Sequence, residues 1–182
     1  MMNSYQFQLI FSLYSDENAE QYLDALFESG CDDAVMGVGK KGYLAADFTR
    51  ESSSAFDAIK SAIEAIKLAI PHAKLIKAGP YIANLSEMAH VFGCTKQNLS
   101  KYARGESANS ESFPCSIISG KVDYWYVLDV ALWFYKQNKL NIQEFDIEVL
   151  KAIYDLNIAI EEIRNEYDHN NDFLSLAKQV AA

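Results

Sequence analysis

Tyr5, Phe7, Leu9, Phe11 and Leu13 alternate with Gln6, Gln8, Ile10 and Ser12, the period-two pattern of a strand with one buried face. Behind it Ala19, Tyr22, Leu23, Leu26 and Phe27 fall on one helical face, with Gly30 where a left-handed C-cap is wanted. Ala34 to Val38 and Tyr43 to Phe48 read as two strands of a hairpin around Gly39-Lys40-Lys41-Gly42. Ser52, Ser53 and Ser54 offer N-caps to a second helix, in which Phe56, Ile59, Ile63, Ile66 and Ile70 recur at helical spacing until Pro71 stops it. Lys74 to Ala78 reads as a fourth strand, and Gly79-Pro80 as the boundary after it.

The order β-α-β-β-α-β predicts an α+β chain whose first 79 residues form a split-βαβ, ferredoxin-like domain, one antiparallel sheet with both helices on one face. Past the boundary the period changes to 3.6 residues. Leu85, Met88, Ala89 and Phe92 recur at i, i+3, i+4 and i+7, Ser86-Glu87 opens that helix, and Gly93 follows it. After a three-residue turn Thr95 caps a second short helix, with Leu99, Tyr102 and Ala103 inward and Gln97, Ser100, Lys101 and Arg104 as an outward polar stripe. Two short helices joined by a tight glycine-containing turn, the second with an exposed stripe of this composition, are the elements of a helix-turn-helix. Such a second helix enters the DNA major groove, where Gln and Asn pair with adenine and Arg or Lys with guanine.

An ordinary helical hairpin would show the same stripe as a wet face. The next segment, Phe113 to Tyr126, favours the DNA reading, because it predicts two short strands around a Gly120-Lys121 tip, a wing. Val127, Val130, Ala131, Trp133 and Phe134 then supply the apolar surface of a further helix. The run Asn84-Leu85-Ser86-Glu87-Met88-Ala89 through Gly93 to Tyr102, with Phe113-Pro114, Gly120, Trp125, Val130 and Trp133, resembles the small winged helix-turn-helix regulators of the MerR and phage-excisionase type over about 55 residues. The chain also resembles bacterial and prophage-borne DNA-binding proteins with an αβ segment ahead of the helix-turn-helix, through Glu28-Ser29-Gly30-Cys31-Asp32-Asp33-Ala34 and Ala69-Ile70-Pro71. The residues expected to carry DNA recognition over a domain of residues 82–138 are Thr95, Lys96, Gln97, Asn98, Ser100, Lys101 and Arg104, with Lys121 in the wing. Lys96 and Lys101 fit the resemblance, which implies more basic residues in the wing than Lys121 alone.

The remaining segment, residues 141–182, places Val149, Ile153, Leu156, Ile160, Ile163 and Tyr167 at the 4-3-4-3-4 spacing of a coiled-coil seam. A pairing helix there predicts a homodimer reading two half-sites, and a helix packed on its own domain has the same spacing. Phe173, Leu174, Leu176 and Val180 suggest one more short helix.

Charge qualifies the picture. The 182 residues carry a net charge of −9, which is unfavourable for phosphate. Residues 1–83 hold 7 basic and 11 acidic side chains, residues 84–140 hold 6 and 5, and residues 141–182 hold 3 and 9. The middle segment alone escapes the acidity, so an acidic body would suppress non-specific binding around a usable reading head. Cys31, Cys94 and Cys115 are far apart and form no Cys-x-x-Cys pair, which argues against a disulfide framework and a zinc site. Gly37 to Gly42 lacks phosphate-loop spacing and leads into a strand. Asp32, Asp33 and Asp47 have no histidine near in sequence to complete a metal cluster with Cys31. No nucleophile with a base, metal spacing or cofactor fingerprint points to an enzyme or a cofactor. No apolar run of membrane-spanning length and no basic leader is present, so a soluble cytoplasmic protein is expected. The competing expectation is an antitoxin-like or adaptor role, in which the N-terminal domain binds a protein partner.

Overall fold

β1 (Asn3–Ser12) follows from its alternation: Tyr5, Phe7, Leu9 and Phe11 are buried while Ser4 and Gln6 face out. It lies at the centre of a four-stranded sheet of order β2-β3-β1-β4, with β2 at Ala34–Gly37, β3 at Tyr43–Ser52 and β4 at Lys74–Gly79, every neighbouring pair antiparallel. The structure is a computed structural model that describes residues 2–106 and 111–164 and, beyond these, Ala177, Gln179 and Val180.

The first helical segment is shorter and wetter than its periodicity predicts. A single 3-10 turn, Ala19–Tyr22, leads into the six-residue α1 (Leu23–Glu28), where Leu26 is buried but Phe27 is 68% exposed. Gly30 ends it at φ +95°, a conformation that a Cβ would disfavour. The loop into β2 is held from the neighbouring strand. Arg50 on β3 makes a two-pronged ion pair with Asp33 at 2.7 Å, donates to the Gly30 carbonyl, and reaches Ser61 on the next helix.

That helix, α2 (Ala55–Ala69), is capped by the Ser54 hydroxyl, which accepts from Asp57 N–H. Its inward face is built from Ala55, Ala58, Ile59, Ala62, Ala65 and Ile66, whereas Phe56 is 69% exposed. With that face turned to the sheet, Phe56 falls on the flank of the helix, on the same side as Ile63 seven residues on. Between α2 and the C-terminal helix lies an open apolar groove of about 690 Å³ bordered by Phe56, Ile63 and Leu156.

Beyond β4, β5 (Ile82–Ala83) pairs with β6 (Trp125–Tyr126), and α3 (Leu85–Val91), α4 (Lys96–Ala103), α5 (Val127–Lys136) and α6 (Glu144–Arg164) follow the sheet. The buried residues of all these parts form one continuous apolar cluster. None of the described helices is long and apolar enough to cross a membrane.

The expected seam of α6 is divided. Val149 and Ile153 are buried inside the chain, where α6 packs on β4, β1, α2 and α5, while Ile163 is 83% exposed and Tyr167 lies outside the described residues. The first half of the seam is therefore occupied by the chain's own sheet and is not free to pair. Phe173, Leu174 and Leu176 of the expected last helix also lie outside the described residues, and Val180 is exposed. Two side chains fasten α6. Glu148 accepts from the Tyr5 hydroxyl and from the Ala55 amide, both at 2.8 Å, so it satisfies the first N–H of α2 and places a negative charge at that helix's positive end. Asn157, 4% exposed, accepts from Ala78 N–H at 3.1 Å and donates to the Ala78 carbonyl at 2.9 Å.

Three tyrosines close the junction. Tyr81 contacts Tyr126 at 5.4 Å and Tyr154 at 5.7 Å between ring centroids, joining the end of the sheet to β6 and α6. Burial, and then the neighbouring Tyr126, push the Tyr81 hydroxyl up to about 12. A raised tyrosine means the fold favours the neutral phenol, so this contribution to stability is complete below about 10, the ordinary tyrosine value, and is lost as pH climbs toward about 12. Alkaline titration followed by tyrosinate absorbance should show a last step that Tyr81→Phe removes. An unchanged last step in that variant would show Tyr81 to be solvated.

Candidate functional site

α3 begins with a reciprocal cap. The Asn84 side chain accepts from Ser86 and Glu87 N–H at 2.8 and 3.1 Å, and Glu87 returns a bond to Asn84 N–H at 2.9 Å. The capping residue is thus Asn84, two residues before the Ser86-Glu87 opening expected from the sequence. α3 buries Met88 and Ala89, and Gly93 reverses the chain at φ +60° while Cys94 N–H returns to the Ala89 carbonyl. Thr95 then caps α4, its hydroxyl accepting from Asn98 N–H at 3.2 Å.

α4 is anchored by two residues. Leu99 is fully buried, and the Tyr102 ring meets Trp133 and Phe134 of α5 edge-on at 5.2 and 5.5 Å. Ala103, expected inward, is exposed, because it lies one flank away from the Leu99–Tyr102 line. With that line fixed, helical geometry sends Gln97, Lys101 and Arg104 to the opposite side, and all three are exposed. Thr95 and Lys96 are exposed at the helix start, and Asn98 and Ser100 are half-buried beside the stripe. Gly105 at φ +68° and Glu106 close the helix by donating to the Tyr102 and Lys101 carbonyls.

The cations of this face differ. Among the described residues Lys96, Lys101 and Lys121 have no ion-pair partner, whereas Arg104 pairs with Glu106 at 3.1 Å, both side chains being more than half exposed. A pair so exposed is worth at most about 1 kcal/mol, so an incoming phosphate or base edge can displace Glu106. Spacing alone does not reveal this pairing, since it depends on the turn at Gly105. Nor does it reveal Lys139, whose ammonium lies 4.8 Å over the Tyr102 ring and adds a positive charge beside α4.

The segment after α4 is strapped onto α5 by indoles. Trp125 Nε1 donates to the Pro114 carbonyl and Trp133 Nε1 to the Glu111 carbonyl, while Phe113 packs edge-on against both Trp125 and Trp133. The expected pair of strands is reduced to one bridge, Ile118 with Tyr124, because Asp123 takes the Ser119 hydroxyl and Gly120 N–H and folds the tip into a tight turn. The second arm continues directly into β6, which pairs with β5 instead of lengthening the hairpin. Lys121 is exposed at the tip, and Ile117, Ile118 and Val122 are exposed around it.

The site therefore consists of α4 with one face locked to α5 and the other presenting amide, hydroxyl and cationic groups, flanked by a short hairpin loop. Compared with protein-family models, curated proteins and solved structures, the chain matches none of them.

Proposed function

We propose that this chain is a sequence-specific double-stranded DNA-binding protein, a regulator that reads the major groove with α4. In this reading α3 and α4 are the helix-turn-helix, the Ile118–Tyr124 hairpin is a short wing, and the β1–β4 sheet with its helices is a ferredoxin-like support. The observation that carries it is the two-sidedness of α4: Leu99 and Tyr102 leave it one orientation, and in that orientation Gln97, Lys101 and Arg104 project together into solvent, Arg104 engaged by the exposed Glu106. Gln97 pairs with a base edge, Lys101 and Arg104 with guanine or phosphate, and Lys96, at the first turn, with the backbone. The acidic αβ part and α6 repel phosphate, which confines contact to this head.

Selection of bound fragments from a random duplex pool at about 50–100 mM salt, where phosphate contacts are still strong, tests the reading. Enrichment of one sequence is expected. No enrichment, with the protein folded, would transfer the function to protein–protein contacts.

A further inference from the structure

The open groove between α2 and α6 has a direction. Glu148 of α6 bonds the Ala55 amide that opens α2, and farther along the two helices Glu64 and Ala159 still line the groove, so α2 and α6 run the same way. From Glu148 to Ala159, at about 1.5 Å per residue, the groove is roughly 16 Å long. Its apolar lining is Phe56, Ile59 and Ile63 on one side and Ala152, Leu156 and Ala159 on the other, and Phe56 stands 69% exposed in it. A space of about 690 Å³ between two helices, apolar along its length, has the shape that the apolar face of a third helix fills.

The chain supplies such a face within reach. α6 ends at Arg164, about 8 Å beyond Ala159. Residues 165–172 can extend over roughly 26 Å, ample for a reversal, and Asp172 offers an N-cap at its end. From there Phe173, Leu176, Ala177 and Val180 recur at i, i+3, i+4 and i+7, an apolar stripe about 11 Å long on a helix, which fits the groove. Of this stretch the structure describes Ala177, Gln179 and Val180, which are helical and exposed, Val180 by 77%. A helix this short is marginal in water and takes its stability from packing its apolar face.

We propose that the α2–α6 groove is the docking site of the chain's own segment 173–180, which enters beside Ala159, lies antiparallel to α6 and sets Leu176 between Ile63 and Leu156. The tether selects this occupant over a second copy or an unrelated helix. Joined to the groove wall through residues 165–172, the segment faces the groove at an effective concentration in the range of about a millimolar, which a separate partner of the same chemistry does not reach. Docking covers Phe56 of α2 and Val180 of the segment together, two apolar side chains otherwise left mostly in water. The inference does not rest on DNA binding.

Thermal unfolding of the full chain carrying Leu176→Ala, Ile63→Ala and both changes tests it, each over a wide range of protein concentration and without DNA. Alanine is the best helix former, so a loss reports packing and not a broken helix. Each single change is expected to lower Tm by roughly 2–5 °C, and the double change by clearly less than the sum, at every concentration. General loosening of the fold does not imitate that shortfall, which requires the two side chains to share one contact. Leu176→Ala without effect on Tm overturns the proposal, as do additive losses, which would set the segment against another part of the chain. A Tm that rises with protein concentration, with dimers in sedimentation that Leu176→Ala removes, overturns it in favour of a second copy in the groove.

Discussion

Replacing Lys96, Gln97, Lys101 and Arg104 together by alanine is expected to lower affinity for a selected duplex by at least about a thousandfold, roughly 4 kcal/mol, while leaving the fold intact. All four side chains are exposed, so their loss should alter stability by no more than about 0.5 kcal/mol each. The single changes should separate by chemistry. Gln97→Ala should cost roughly 1–3 kcal/mol at the selected sequence and little elsewhere, relaxing specificity at one base pair. Lys96→Ala should weaken every duplex alike and reduce the salt slope by about one unit. Glu106→Gln should act in the opposite direction, because Arg104 would no longer be engaged at 3.1 Å by a carboxylate of its own chain. Electrophoretic mobility shifts across a salt series, with thermal unfolding of each variant alongside, provide the measurement. Unchanged affinity of a folded quadruple variant would remove α4 from recognition and advance the adaptor reading.

Asn157→Ala should be the most destabilising single change in α6, by roughly 2–4 kcal/mol. Ala78 is fully buried, and the substitution strips the partner from its N–H and its carbonyl at once. Each orphaned backbone group costs about 1–3 kcal/mol, partly recovered if water enters the space left by the amide. For a chain of this size that corresponds to a fall in Tm of roughly 4–16 °C. Asn157→Asp should not rescue it, since a carboxylate cannot donate to the carbonyl and would be buried with its charge. Ile163→Ala, at an 83% exposed position of the same helix, is the control and should change Tm little. A loss under about 1 kcal/mol for Asn157→Ala would mean that water serves Ala78 as well as the amide does.

The parts of this protein legible in the chain are those where neighbours in sequence supply the physics. Alternation along Asn3–Ser12 marks β1, Pro71 and Gly93 mark ends, Thr95 marks the start of α4, and Val127, Val130, Ala131, Trp133 and Phe134, all buried, mark α5. The outward stripe of α4 is legible for the same reason, since a 3.6-residue period places Gln97, Lys101 and Arg104 opposite Leu99. Periodicity states which side chains share a face, but not what lies across from that face. Phe27 and Phe56 sit on apolar stripes yet are 68% and 69% exposed, because the face of α2 that meets the sheet is centred on Ala58, Ala62 and Ile66 and leaves 56 on its flank, and the six-residue α1 buries Leu26 alone. The seam of α6 is buried at Val149 and Ile153 and exposed at Ile163, because the sheet beneath it ends before the helix does. Contacts such as Asn157 with Ala78, 79 residues apart, and Glu148 with Ala55, 93 apart, join segments whose approach is set only when the whole core closes. That closure also left β4 covered and β2 bare, a difference that the two strand sequences do not contain.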